Sequence, residues 1–247
     1  MSYYHVPKDS VGTYYAKFPV DFKEIGQLSE EQVREAAFFS IKASTQTKTN
    51  SHNGNKKRTE FDIYKDTLEG KLGELSVTTQ AQKLGYDVDV DFNNYGQVKW
   101  DSYDLKVFKN STIESWQIKT SKSFSQLFLL EEGDYGKDGI YKYNKQQTIY
   151  NKFFLQRIKI NDNRILNDFF YRRNQPDSML SKVHITYDIA RFLTYDELVN
   201  QIIKENQVLK AGWRIKATEF SSNSCALEVN NYYAQLCDMH PITELGE

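Results

Sequence analysis

Two short stretches of alternating character, residues 103 to 108 and 113 to 120, stand on either side of the tetrapeptide KNST and can fold together in few ways. Successive side chains of a strand point to opposite faces, so Asp104, Lys106 and Phe108 share one face of the first, and Ser115, Gln117 and Lys119 share one face of the second. Trp116 and Ile118 take the other face. With KNST at 109 to 112 as the turn, the pair predicts a hairpin. Such a hairpin brings Asp104 near Gln117 and Lys119, placing a carboxylate, a neutral oxygen donor and an ammonium in one small region.

The flanking segments add helices and further strands. Ser29 followed by Gln32 makes a capping box, and Val33, Ala36, Ala37 and Ile41 recur at helical spacing, which predicts a first helix over about 29 to 43. The polar stretch from Ser44 to Thr59 reads as an exposed loop, and its Lys56, Lys57 and Arg58 make it a candidate DNA-contacting arm. Leu68, Leu72 and Leu75 fall on one stripe of a second helix that begins near Thr59 to Asp66 and runs to Leu84, with Gly85 as its stop. Thr67, Lys71, Glu74 and Thr78 line one flank of that stripe, so Glu74 is expected at the edge of the buried face. Glu69, about 140° away around the helix, is expected on a solvated face.

Tyr86, Val88, Val90 and Phe92 alternate with Asp87, Asp89 and Asp91, the period of a strand with one buried and one solvated face. Later, Lys152 to Ile160 and Val183 to Leu193 read as strands separated by a charged stretch containing Arg172 and Arg173. Thr194 and Glu197 form another capping box, opening a last helix with Leu198, Ile202 and Ile203 as its apolar face. Trp213 to Phe220 and Cys225 to Val229 read as a closing strand pair. This order predicts an α/β (α+β) fold with a mixed central β-sheet flanked by helices. One domain spanning 1–247 is expected: an N-terminal helix and basic loop at 29–59, a core at about 60–125, and strands and a helix at 150–247 that complete the sheet.

The formal net charge of −1 gives no global field for a polyanion, so nucleic-acid contact would rest on local clusters of Lys and Arg. Cys225 and Cys237 are too few for a disulfide framework or a structural zinc site and are expected as small core residues in a reducing cytoplasm. The first residues, MSYYHVPKDS, lack a charged lead followed by an apolar stretch, and no run approaches the roughly 18 apolar residues of a membrane span. The histidines, His5, His52, His184 and His240, are scattered, with His184 expected in the core.

The segments EGKLGELS, WDSYDLKV and WQIKTS together resemble the PD-(D/E)XK nuclease superfamily: a helix bearing an acid, an Asp on a strand, and an acid or its amide two residues before a Lys. The resemblance is concentrated in residues 66 to 122. Gln117 stands where Asp or Glu is commoner, and Tyr103 where the nominal Pro would be. The resemblance implies a restriction-endonuclease-like core and a Mg2+ centre, with Mn2+ as a substitute and no organic cofactor. Asp104 would be the central ligand, Gln117 a ligand through its amide oxygen, the Ile118 carbonyl another, and Glu74 an outer ligand through water. Lys119 would orient the attacking water and stabilise developing negative charge. A second register within the same superfamily takes Asp89 or Asp91 as the first acid and Asp104 with Lys106 as the acid–lysine pair; Asp104 serves both. Asp101 reads as a loop residue. Lys122 could reach a backbone phosphate, and Arg172 and Arg173, beside Asn174 and Gln175, have side chains suited to base edges.

The function expected is that of a type II restriction endonuclease acting on double-stranded DNA as a homodimer, one active centre per strand of a two-fold site. A structure-specific repair, recombination or phage-defence nuclease is the alternative with the same chemistry. A non-catalytic DNA-binding protein on a nuclease-like fold is the alternative of another class, prompted by Gln117.

Overall fold

Capping decides where the long helices begin. The computed structural model describes residues 3–46, 58–92, 104–109, 111–142, 149–172 and 177–246. After two short strands, β1 (Thr13–Tyr15) and β2 (Gly26–Gln27), helix α1 (Glu30–Gln46) starts on the Ser29 box: Gln32 N–H donates to Ser29 Oγ at 3.2 Å and Ser29 N–H to Gln32 Oε1 at 2.9 Å. Helix α2 (Glu60–Lys83) starts on a reciprocal box between Thr59 and Asp62. It ends where Gly85 takes φ +81° and Tyr86 N–H returns to Ala81 O at 3.1 Å, a conformation that favours glycine.

Strands β3 (Asp87–Val90), β4 (Leu105–Lys109) and β5 (Thr112–Lys122) follow, then β6 (Leu127–Glu131), β7 (Lys152–Ile160) and helix α3 (Asn163–Tyr171). Strands β8 (Ile185–Tyr187) and β9 (Arg191–Thr194) lead into α4, an α turn Tyr195–Glu197 that continues as a π turn Leu198–Ile203. The remaining strands are β10 (Val208–Leu209), β11 (Arg214–Lys216), β12 (Cys225–Ala226), β13 (Asn231–Gln235) and β14 (His240–Pro241).

The fold is mixed α/β, as expected, around a curled mixed sheet in the order β14-β9-β7-β5-β4-β3, with β8 and β2 extending from β7. The predicted hairpin is present: β4 and β5 are antiparallel, with Leu105 opposite Trp116 and Lys109 opposite Thr112. Beside it β7 runs parallel to β5, with Lys119 level with Leu155. Among the described residues no helix is long and apolar enough to cross a membrane.

Side-chain alternation divides this sheet into two working faces. Trp116, Ile118 and Phe154 pack with Leu105 and Val107 beneath Val77 and Ala81 of α2. On the opposite face, Phe153 and Leu155 pack with Tyr135, Leu193 and the apolar side of α4. Gln117 and Lys119 belong to that second face, away from α2. A third cluster joins α1, α2 and α3 through Val33, Tyr64, Leu72, Phe169 and Phe170.

The helix meets the sheet without spacers at one point. A Cβ added to Gly73 would lie 2.8 Å from both Cβ and Cγ2 of Thr120, and closer still to its hydroxyl. Gly73→Ala is therefore expected to destabilise the protein. Overpacking costs about 1–3 kcal/mol, set against the roughly 1 kcal/mol that Ala gains over Gly in a helix, and Thr120 Cβ is fixed to its strand and cannot swing aside. Urea midpoints should show the loss and its partial recovery in Gly73→Ala/Thr120→Gly; an unchanged midpoint would mean that α2 can lift from β5.

Several sequence expectations are corrected. The strand-like segment Val183 to Leu193 is two strands that pair with different halves of β7, β9 with its first half and β8 with its second. The break holds Asp188, which turns inward to Arg157. The pair β11 and β12 is shorter than expected and joins β1 in a separate three-stranded sheet, while β6, β13 and β10 make another, so the C-terminal strands complete the main sheet only in part. Helix α3 replaces part of a stretch read only as charged; Asp162 caps it, accepting Arg164 N–H at 2.9 Å. Cys225 is exposed and Cys237 half-buried, neither being a core residue, and His184 is exposed on the edge of β8, 3.0 Å from Gln27 Nε2.

Candidate functional site

Asp104 precedes β4, one residue before the ladder begins. Its carboxylate turns across the hairpin, and Oδ2 accepts the main-chain N–H of Ile118 at 2.6 Å. Burial pushes this carboxyl above the ordinary range, opposed by the Ile118 hydrogen bond and by the positive charges of Lys119 and Lys71. The hairpin thus brings Asp104, Ile118 and Lys119 together. The register continued by one residue also sets Asp104 beside Gln117 on one side and Asp91 on the other.

Gln117 is buried, and its amide oxygen accepts the hydroxyl of Tyr135, which is also buried. Burial is the main reason that the Tyr135 phenol is held well above its usual pKa, with Tyr150, Asp104, Tyr141 and Asp134 adding to it. The phenol therefore stays protonated and remains a donor. Lys119 is half-buried on the same face of β5.

Glu74 occupies a different position. It lies buried on α2, on the other face of the sheet, and forms an ion pair at 2.7 Å with Lys71, one helical turn earlier. The Lys71 ammonium also donates to the main-chain oxygen of Asp91 at 2.7 Å, and lies 5.1 Å and 5.5 Å from the ring centroids of Phe39 and Phe92. The helix carboxylate is thus linked to the strand carboxylate through a lysine: Lys71 pairs with Glu74 and its charge is felt at Asp104.

Among the described residues no group of three or more His, Cys, Asp or Glu side chains is arranged to hold a metal ion. The candidate set here is of another composition: the Asp104 carboxylate, the Gln117 amide and the Ile118 carbonyl on the hairpin, with Glu74 across the sheet. In the alternative register Lys106 stands opposite Asp89 and Ser115, with its ammonium 5.7 Å from the Phe108 ring centroid. Asp87 and Asp89 are exposed as expected for a solvated strand face, but Asp91 is buried at the end of that strand.

Of the candidate DNA contacts, Lys56, Lys57 and Arg173 lie outside the described residues, as do Asp101 and Tyr103. Arg58 pairs with Asp66 at the start of α2, and Lys122 pairs with Glu69 between strand and helix. Glu69 is half-exposed and meets that cation at the protein surface, consistent with the solvated face expected for it. Arg172 is exposed at the end of α3, its N–H donating to Asp168 O at 2.9 Å.

Sequence reasoning missed Tyr135, whose approach to Gln117 depends on the path between β6 and β7 and leaves no local signal. Lys71 had one: it lies three residues before Glu74 on the same helix flank, the spacing of an intrahelical ion pair. Comparisons of the chain with protein-family models, with curated proteins and with solved structures find no significant match.

Proposed function

We propose that the protein is a Mg2+-dependent DNA endonuclease of the PD-(D/E)XK kind, acting as a type II restriction enzyme. The observation that carries this reading is the turn of the Asp104 carboxylate onto the Ile118 N–H, with the charge of Lys119 acting on it from the same hairpin.

The donor set fits a hard divalent cation. Mg2+ takes oxygen ligands and keeps several waters, so one carboxylate, an amide oxygen and a main-chain carbonyl suffice when a DNA phosphate completes the set. Asp104, Gln117 and Ile118 would hold it, and burial of Asp104 disfavours leaving that carboxylate without a nearby cation. When bound, the ion would lower the pKa of a coordinated water and offset charge on the scissile phosphate. Lys119 would orient that water by hydrogen bonding and stabilise negative charge that develops on the phosphoryl oxygens. Tyr135 would fix the rotamer of Gln117 by donating to its amide oxygen, leaving a second lone pair for the cation. Glu74, paired with Lys71, would act from the helix side through water. Two centres in a homodimer would serve the two strands of a palindromic site.

Two contacts favour the non-catalytic reading instead: Tyr135 already occupies the Gln117 oxygen, and Lys71 already neutralises Glu74. A digest of a sequenced duplex with Mg2+, with and without EDTA, separates these readings. Discrete bands abolished by EDTA are expected. Preferential cutting of flaps or junctions would favour the structure-specific nuclease, and intact DNA with Mg2+ and Mn2+ alike, together with no calorimetric metal uptake, would leave only a DNA-binding role.

A further inference from the structure

We propose that Lys71 is the positioning residue of this centre, a buried cation that ties the Glu74 carboxylate of α2 to the end of β3, the strand end that stands opposite Asp104. The inference rests on the nuclease reading above. Lys71 is only 4% exposed, which for an ammonium demands compensation. Among its partners are the Glu74 carboxylate at 2.7 Å, the Asp91 main-chain oxygen at 2.7 Å, and the faces of Phe39 and Phe92. These partners come from α2, from the end of β3 and from α1. A single ammonium thereby pins the helix carboxylate and the strand end next to Asp104.

The position has two consequences of opposite sign. A fixed positive charge paired with Glu74, at the strand end opposite Asp104, offsets the negative charge that would attract an entering cation, so its removal strengthens metal binding. The same charge holds Glu74 and the β3 end in register with the hairpin, so its removal misplaces groups around the reacting phosphate. A residue that merely fills space would change neither quantity in this paired fashion.

The test uses the full chain, with Mn2+ binding measured by calorimetry without DNA and turnover measured separately on duplex DNA at saturating metal. Lys71→Met is expected to bind Mn2+ about tenfold more tightly, the scale of one unit charge removed at close range. It is expected to cut about a hundredfold more slowly, the scale of a small displacement of reacting groups. Lys71→Arg keeps the charge and should stay within about threefold of wild type in metal affinity, with turnover above that of Lys71→Met. If Lys71→Met does not fold, Lys71→Gln, which removes the charge but keeps a donor for the Asp91 oxygen, should show the same tightening of Mn2+ binding and the same loss of turnover. Wild-type turnover in Lys71→Met or Lys71→Gln, or weaker Mn2+ binding in either of these two, overturns the assignment of Lys71 while leaving the nuclease reading in place. A wild-type protein that neither takes up Mn2+ nor cuts DNA removes both.

Discussion

Lys119→Ala and Asp104→Asn are each expected to lower cleavage about a thousandfold while leaving duplex binding within a few-fold of wild type. The magnitude is that of removing one preorganised electrostatic group from a transition state, and the sparing of binding follows because phosphate contacts spread over a surface fix a protein on DNA. Asp104→Asn adds a second effect. It keeps the shape of the side chain and one oxygen able to accept the Ile118 N–H, but it removes the charge on which the proposed metal set depends. Single-turnover cleavage in Mg2+ and mobility shifts in Ca2+ separate the two quantities. Wild-type cleavage in either variant would eliminate the hairpin as the reactive centre.

Arg157→Met is expected to cost about 3–5 kcal/mol of stability, the range for breaking one side of a buried ion pair. Arg157 is fully buried on β7; its Nε donates to Asp188 Oδ2 at 2.8 Å, and its Nη atoms donate to the main-chain oxygens of Val20 at 2.8 Å and Asp21 at 2.9 Å. Methionine would strand that carboxylate and those carbonyls away from water. The deficit should depend on pH. Burial already raises the Asp188 carboxyl to about 6, against the opposing pull of Arg157. A carboxyl raised in the folded state favours folding most below its unfolded value near 4, and this contribution is lost as pH rises through about 6. Without Arg157 the carboxyl would be raised further, so the deficit should be largest above pH 6 and shrink toward pH 4 as Asp188 takes up a proton. Urea denaturation at pH 5 and pH 8 checks the sign; a deficit independent of pH would place the damage in the lost carbonyl contacts alone.

Much of the fold could be read from local pattern because its decisive signals are local. Ser29 with Gln32, and Thr194 with Glu197, form their capping boxes within four residues, and the alternation around KNST requires only the period of a strand. The elements that escaped notice are those whose identity depends on distant partners. Leu127–Glu131 and Asn231–Gln235 pair with each other across some hundred residues, and the break between β8 and β9 exists because Asp188 answers an arginine 31 residues earlier. The same division holds at the candidate site. Proximity of Asp104 to Gln117 and Lys119 followed from the hairpin. The placing of Glu74 on the other face, and its capture by Lys71, depended on how closely α2 lies on β5, which Gly73 decides and the helix stripe alone does not disclose.

The small outer sheet sets an order on assembly. Thr13–Tyr15 lies alongside Arg214–Lys216 in parallel, so this early segment must wait for roughly two hundred further residues to leave the ribosome before its strand neighbour exists. The stretch from α2 to β7 carries its own pairings and needs no such delay. Synthesis can therefore build the β4–β5 hairpin early and close the clasp between the distant segments late.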